Sequence, residues 1–156
     1  MIELYHGSPN IIRKPIFGAG NPRNDYGPGF YCTREIELAK EWACPTRNDG
    51  FANKYLFDME GLEVLDLSLN KYNILNWLAI LLENRIFDIT TPLARDAKDF
   101  IVSRFTPEYA SKDVIVGYRA DDSYFSFAKA FLNNAIPLSS LAKAMKLGKL
   151  GIQSCI

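Results

Sequence analysis

The most informative segment of this chain is Gly27-Pro28-Gly29-Phe30-Tyr31-Cys32-Thr33, together with Tyr5-His6-Gly7-Ser8 near its start. His6 is the single histidine of the sequence, and it follows a strand-like opening over residues 1–5. The glycine after it lets another molecule approach the backbone closely. The Gly-x-Gly-Phe-Tyr turn places an aromatic hydroxyl on a tight bend that has few side chains. Together the two motifs predict a pocket for a flat, polar ligand.

The composition indicates an ordinary globular protein without a strong electrostatic bias. Apolar residues make up 48% of the chain and charged residues 23%, which is a usual balance. A length of 156 residues suits one domain, which we expect to span residues 1–156. The 18 basic and 18 acidic residues give a formal net charge of zero. This neutrality argues against an extended basic surface for duplex DNA.

The cysteines give information on metal binding and on the cellular compartment. Cys32, Cys44 and Cys155 are unclustered and lack the spacing of metal ligands, so with one histidine we expect no metal site. The cysteine count is odd, and the N-terminus has no basic segment followed by an apolar run. Together these features predict that the protein resides in the reducing cytoplasm. The most apolar stretch, residues 74–82, is too short to span a bilayer, so we expect no membrane partner.

Hydrophobic periodicity predicts strands and helices in a mixed order. Strands are expected over residues 1–5, 30–33, 51–58, 62–67, 113–118 and 151–156, and helices over residues 35–43, 72–84, 94–105, 122–134 and 138–147. Residues 8–29 are rich in glycine, proline and asparagine and predict a long loop of the kind that is usually functional. Thr33 is expected to cap the helix that follows it. Strands at both ends and in the middle, with grouped helices, indicate an α+β class.

These motifs resemble the ADP-ribosyltransferase superfamily, and within it the His-Tyr-Glu branch of diphtheria toxin and the poly(ADP-ribose) polymerases. The resemblance extends to Trp42, which stands eleven residues after Tyr31. The whole chain also resembles the bacterial domain of unknown function 3990 family, through Gly117-Tyr118-Arg119-Ala120-Asp121-Asp122 and Leu150-Gly151-Ile152-Gln153. The fold that the resemblance implies is α+β, with two small, mostly antiparallel sheets that form an NAD cleft and with flanking helices.

The resemblance implies a role for each matching residue. His6 would bond the adenine-side ribose of NAD, and the Gly7 backbone would bond the nicotinamide carboxamide. Tyr31 would stack on the nicotinamide ring, with Trp42 on the other face of that ring. Gln153 would occupy the position of the family's glutamate, against the nicotinamide ribose.

Ser8 and Arg13 complete the implied set of NAD-binding residues. Arg13, or another polar residue of the 8–29 loop, would reach the pyrophosphate.

Breaking the glycosidic bond of NAD builds positive charge on the ribose. The site therefore needs aromatic rings that hold the leaving group and a carboxylate that stabilises the charge, while no metal is required.

Two positions depart from the family pattern, and one pair of acids is a candidate to compensate. The amide of Gln153 can bond a ribose hydroxyl but cannot supply negative charge or act as a base. The resemblance therefore implies transfer of a single ADP-ribose, or an inactive protein, rather than synthesis of poly(ADP-ribose) chains. Ala39 stands where the polymerases have a serine that bonds the carboxamide. Asp121 and Asp122, beside Arg119, are candidate acids on the acceptor side, and either could instead cap the following helix.

The leading expectation is a mono-ADP-ribosyltransferase that moves ADP-ribose from NAD to a macromolecular acceptor and releases nicotinamide. The resemblance implies a bacterial toxin with a cognate antitoxin, and a protein or nucleic-acid acceptor. One alternative is an inert or weak NAD- or ADP-ribose-binding module, because Gln153 replaces the acid. Another is NAD hydrolysis or RNA 2′-phosphate transfer on the same fold, although a neutral chain disfavours the RNA reaction.

Overall fold

The structure, a computed structural model, describes residues 1–120, 122–147 and 151–156, with the backbone alone at 122–123 and 145–147. The strands are β1 (Ile2–Ser8), β2 (Tyr31–Thr33), β3 (Phe51–Phe57), β4 (Val64–Asp66), β5 (Val114–Tyr118) and β6 (Ile152–Cys155). The helices are α1 (Ile36–Ala43), α2 (Ile74–Asn84), α3 (Pro92–Phe105), α4 (Asp122–Leu132) and α5 (Leu138–Leu147). The predicted mixed α+β class is confirmed, and the element bounds lie close to those expected from the sequence.

The described strands form one six-stranded sheet in the order β3-β1-β2-β6-β5-β4. β4 and β5 pair in parallel, and the other neighbouring strands pair antiparallel. This single sheet corrects the expectation of two small sheets. The reason is β6, which is paired with β2 on one side and with β5 on the other. The last strand therefore joins the N-terminal and C-terminal halves of the sheet.

β1 continues beyond its predicted end, so that His6 and Gly7 lie within the strand and not after it. Gly7 faces α1. A Cβ atom at this position would collide with the Ala39 carbonyl oxygen and would lie 2.6 Å from the Ala43 nitrogen. The missing side chain therefore allows the backbone of α1 to approach the sheet closely.

The main core lies between the sheet and the C-terminal helices. α2 begins with a capping box, in which Asn73 accepts from the helix backbone and the Asn76 side chain accepts from the Asn73 N–H. The stripe predicted over residues 74–82 is confirmed as core, since all of residues 77–82 are buried. No helix in the described ranges is both long enough and apolar enough to cross a bilayer.

Thr33 has a different role from the predicted helix cap. The N-cap residue of α1 is Glu35, and its side chain makes no capping bond. The buried Thr33 hydroxyl instead donates to the Ile152 carbonyl, 3.0 Å away, and accepts from the Glu35 N–H. This bond ties β2 to β6 at the point where the two halves of the sheet meet.

We expect Gly7→Ala to destabilise the protein by about 1–3 kcal/mol, because the added methyl group must displace the backbone of α1. Urea unfolding measures the free energy. Gly20→Ala is the matched control, since a Cβ atom there meets nothing within 4 Å, and its effect should stay within about 0.5 kcal/mol. Equal free energies for the two variants would contradict the close contact between β1 and α1.

Candidate active site

A cavity of about 340 Å³ lies where the loop before β2 meets the sheet. The residues that line it come from this loop, β2, α1, the residue after α2, the segment after β5, and β6. They are Asn24, Asp25, Tyr31, Trp42, Arg85, Arg119, Ala120 and Gln153. Three residues predicted from the sequence, Tyr31, Trp42 and Gln153, are therefore brought together in one cavity.

The ring of Tyr31 is held in place by its hydroxyl. This hydroxyl donates to the Gly27 carbonyl at 2.7 Å and accepts from the Tyr26 N–H at 3.0 Å. Burial raises the pKa of Tyr31 far above its ordinary value, so the phenol stays neutral. The ring thus forms a fixed, uncharged aromatic wall of the cavity.

Trp42 supplies a second aromatic side chain from α1. The guanidinium carbon of Arg119 lies 5.7 Å from the centre of the Trp42 ring, within the range of a cation–π contact. The indole N–H is buried and has no hydrogen-bond partner among the described residues. A buried donor without an acceptor is unfavourable, so this N–H is a candidate contact for a ligand oxygen.

Gln153 faces a carboxylate that the sequence analysis missed. Its Nε2 donates to Asp25 Oδ2 at 2.8 Å, and the Ala120 N–H donates to the same oxygen at 2.8 Å. The Arg85 Nε lies 3.8 Å from Asp25 Oδ1. Asp25 is 5% exposed and Gln153 is 4% exposed. Burial raises the pKa of Asp25, although the Ala120 N–H and Arg85 favour its charged form.

No motif marks Asp25 in the sequence. It lies in a loop rich in glycine and proline, where an aspartate is usually a turn residue. The one available signal was the presence of an acid six residues before Tyr31 in a loop already expected to be functional. Its burial against Gln153, from the other end of the chain, becomes visible only in three dimensions.

The charges on the cavity wall favour an anionic ligand. Two guanidinium groups, of Arg85 and Arg119, share the wall with the single carboxylate of Asp25. Arg119 also lies 3.9 Å from Glu41. The Glu41 side chain is largely exposed, so this ion pair is weak and leaves most of the Arg119 charge available to a ligand. Arginine forks match phosphate oxygens in geometry as well as in charge.

His6 lines a groove of about 460 Å³ that adjoins the cavity, because Asn24 and Tyr31 line both. The His6 Nδ1 lies 2.6 Å from the Tyr31 carbonyl oxygen. Since a carbonyl only accepts, Nδ1 carries the proton and Nε2 is the acceptor of the neutral ring. Burial lowers the pKa of His6, outweighing the bond to Tyr31, so the ring is neutral at pH 7. His6 is thus next to the cavity but not in its wall.

Ser8 and Arg13 line neither the cavity nor the groove. The Ser8 hydroxyl donates to the Asn10 carbonyl and accepts from Asn53 Nδ2 at 3.2 Å, so it organises the start of the loop. Arg13 lines another hollow, of about 520 Å³, which adjoins the groove at Ile12. Lys14, the next residue, is the cation that lines the groove with His6.

The two predicted acceptor-side acids cannot be placed in this site. Asp121 lies outside the described residues, and so does the side chain of Asp122. Within the ranges that are described, no three histidine, cysteine, aspartate or glutamate side chains form a group that could hold a metal ion.

We expect the stability of Asp25→Asn to depend on pH differently from that of the wild type. Because the pKa of Asp25 is raised on folding, the folded state binds a proton more tightly than the unfolded chain, whose pKa is near 3.8. This contribution to stability is present below pH 3.8 and is lost as pH rises through the folded pKa. The free energy of unfolding of the wild type, relative to the variant, should therefore fall as pH rises from 3.5 to 7. A constant difference, measured by urea titration at several pH values, would contradict the burial of this carboxyl.

The family model described as a protein of unknown function, DUF3990, matches residues 2–156. No curated protein and no solved structure matches the chain. The family match includes every residue of the cavity and of the groove, and it confirms that part of the resemblance seen in the sequence. The chain therefore belongs to the DUF3990 family.

Proposed function

We propose that the chain binds NAD with the nicotinamide end in the cavity and transfers one ADP-ribose to a macromolecular acceptor, with release of nicotinamide. One observation carries this proposal. Tyr31, Trp42 and Gln153, which the sequence resemblance assigns to the nicotinamide end, come from three distant parts of the chain and line the same cavity. A bound nicotinamide nucleotide would give these three side chains one common role.

The aromatic residues suit the pyridine ring of the substrate. Tyr31 is uncharged and held by two hydrogen bonds, so it offers a rigid apolar face. Trp42 offers a second ring and a buried N–H without a partner among the described residues. A carboxamide oxygen would satisfy this donor, and it would compensate for the serine contact that Ala39 cannot make.

The cations suit the pyrophosphate. Arg85 and Arg119 line the cavity, and Lys14 lines the groove beside His6. Together they take over the role that the sequence analysis gave to Arg13, whose side chain lines a different hollow. Phosphate groups bound here would meet positive charge along the passage from the cavity into the groove.

His6 suits a hydroxyl of the adenine-side ribose. Its neutral ring presents Nε2 as an acceptor, because Nδ1 donates to the Tyr31 carbonyl. The same bond couples the orientation of His6 to the strand that carries Tyr31. A dinucleotide that spans the cavity and the groove would therefore contact both residues.

The acceptor and the biological setting follow from the resemblance alone. It favours a bacterial toxin, held in check by an antitoxin, that modifies a protein or a nucleic acid. An inert NAD-binding module is a second candidate, and a specific observation favours it. Gln153 stands where the His-Tyr-Glu branch has its glutamate, and its amide is already bonded to Asp25.

We expect NAD to raise the melting temperature of the wild type and Trp42→Leu to weaken NAD affinity about tenfold or more. A stacked aromatic ring contributes about 1–3 kcal/mol to binding a flat heterocycle. Trp42→Phe keeps a ring and should lose less. Phe100→Leu is the control, since this phenylalanine is exposed on α3 and lines neither the cavity nor the groove. Equal NAD affinity in all four proteins, measured by calorimetry, would place the ligand elsewhere.

Turnover separates the candidate functions. Incubation with NAD labelled in the adenine and with a cell lysate should put label on macromolecules while nicotinamide is released. Label found only in free ADP-ribose would indicate hydrolysis. Thermal stabilisation by NAD without release of nicotinamide would indicate the inert module, and absence of NAD binding would contradict both.

A further inference from the structure

We infer that Asp25, held in place by the amide of Gln153, is the carboxylate that acts on the nicotinamide ribose. The inference rests on the proposed function and adds the residue that the sequence pattern lacks. The acid is present in the cavity, but it is supplied by the loop before β2 and not by β6. Gln153 is then a positioning residue for this acid.

The geometry leaves one oxygen of Asp25 available to a substrate. Oδ2 accepts from the Gln153 amide and from the Ala120 N–H, each at 2.8 Å. Among the described residues Oδ1 has no hydrogen-bond donor, and the Arg85 Nε lies 3.8 Å from it. Asp25 also contributes to the wall of the cavity that contains Tyr31 and Trp42. A ribose hydroxyl or an incoming nucleophile in this cavity would lie beside the Asp25 carboxylate, whose Oδ1 has room to accept a hydrogen bond.

An amide at position 153 is what such a carboxylate requires. The Gln153 Nε2 is a donor, and a glutamate there would instead place a second carboxylate against Asp25 at hydrogen-bond distance. Two carboxylates that close cannot both ionise readily. Gln153 is therefore the hydrogen-bond donor that holds Asp25, an acid from another segment of the chain.

The transfer of ADP-ribose needs no reactant other than NAD, the acceptor and water. The bond between the nicotinamide nitrogen and the ribose carbon breaks, and both electrons leave with neutral nicotinamide. The positive charge that develops on the ribose is stabilised by the Asp25 carboxylate. A lone pair of the acceptor's oxygen or nitrogen forms the new bond to the ribose carbon. The acceptor's proton passes to Asp25 and then to water, so each transfer releases one proton.

The test uses four variants and two measurements at the same pH. The variants are Asp25→Asn, Gln153→Glu, the double variant with both changes, and Asp49→Asn as a control on an exposed aspartate. The measurements are NAD affinity by calorimetry and nicotinamide release at saturating NAD. The NAD affinity of Asp25→Asn should stay within about threefold of the wild type, while its rate of nicotinamide release should fall by about 100-fold or more. A loss of this size is expected when a group that stabilises transition-state charge is removed. Gln153→Glu should also lose release, and Asp49→Asn should behave as the wild type.

The double variant moves the carboxylate to residue 153 and the amide to residue 25. It preserves the buried carboxylate–amide bond, and we expect it to regain at least tenfold in release over either single variant. A purely structural role for the pair would restore stability in the double variant without restoring release. If Asp25→Asn does not fold, the double variant tests the pairing on its own: nicotinamide release above that of Gln153→Glu supports the pairing of Asp25 with Gln153, and background release from a folded double variant overturns it.

The outcomes distinguish this inference from the proposed function. A wild type that binds no NAD or releases no nicotinamide overturns the proposed function, and the inference with it. An active wild type with an equally active Asp25→Asn variant overturns the inference alone. Loss in Asp25→Asn without recovery in the double variant overturns the pairing of Asp25 with Gln153.

Discussion

The buried hydrogen bond between the Asp25 carboxylate and the Gln153 amide joins the long N-terminal loop to the last strand of the sheet. The same carboxylate also accepts from the Ala120 N–H, so one side chain connects the loop to β6 and to the segment after β5. A buried carboxylate is unfavourable without hydrogen bonds, and the two bonds to Oδ2 offset part of this cost. They hold the loop where it forms the cavity together with β2 and α1.

A second set of buried contacts supports the same loop. The Tyr26 hydroxyl donates to the Tyr118 carbonyl at 2.6 Å, and the Trp77 indole donates to the same carbonyl at 2.9 Å. Gly117 makes this possible, because a Cβ atom there would collide with the Tyr26 hydroxyl. The end of β5, at Gly117 and Tyr118, thus has a structural function of its own. It accommodates Tyr26, the residue after Asp25, while Asp25 lines the cavity.

The sequence was sufficient for properties that depend on local patterns. Apolar periodicity located α2 and its core face. The resemblance carried by the two N-terminal motifs selected Tyr31, Trp42 and Gln153, which share the cavity. It was insufficient where distant segments meet. The pairing of β6 with both β2 and β5, and the burial of Asp25, depend on long-range contacts that no local pattern encodes. Arg13 and Lys14 are adjacent cations, and the sequence alone did not show that Lys14 is the one that lines the groove.

On the proposed function, the cavity beside Asp25 takes the nicotinamide end of a dinucleotide. A crystal structure with carba-NAD, an analogue whose glycosidic bond cannot be cleaved, would show where that end binds. We predict that the pyridine ring lies against Tyr31 and Trp42, with its ribose facing Asp25 Oδ1 and the pyrophosphate against Arg85 or Arg119. A pyridine ring bound elsewhere on the protein, or a cavity left empty at saturating analogue, would contradict the account.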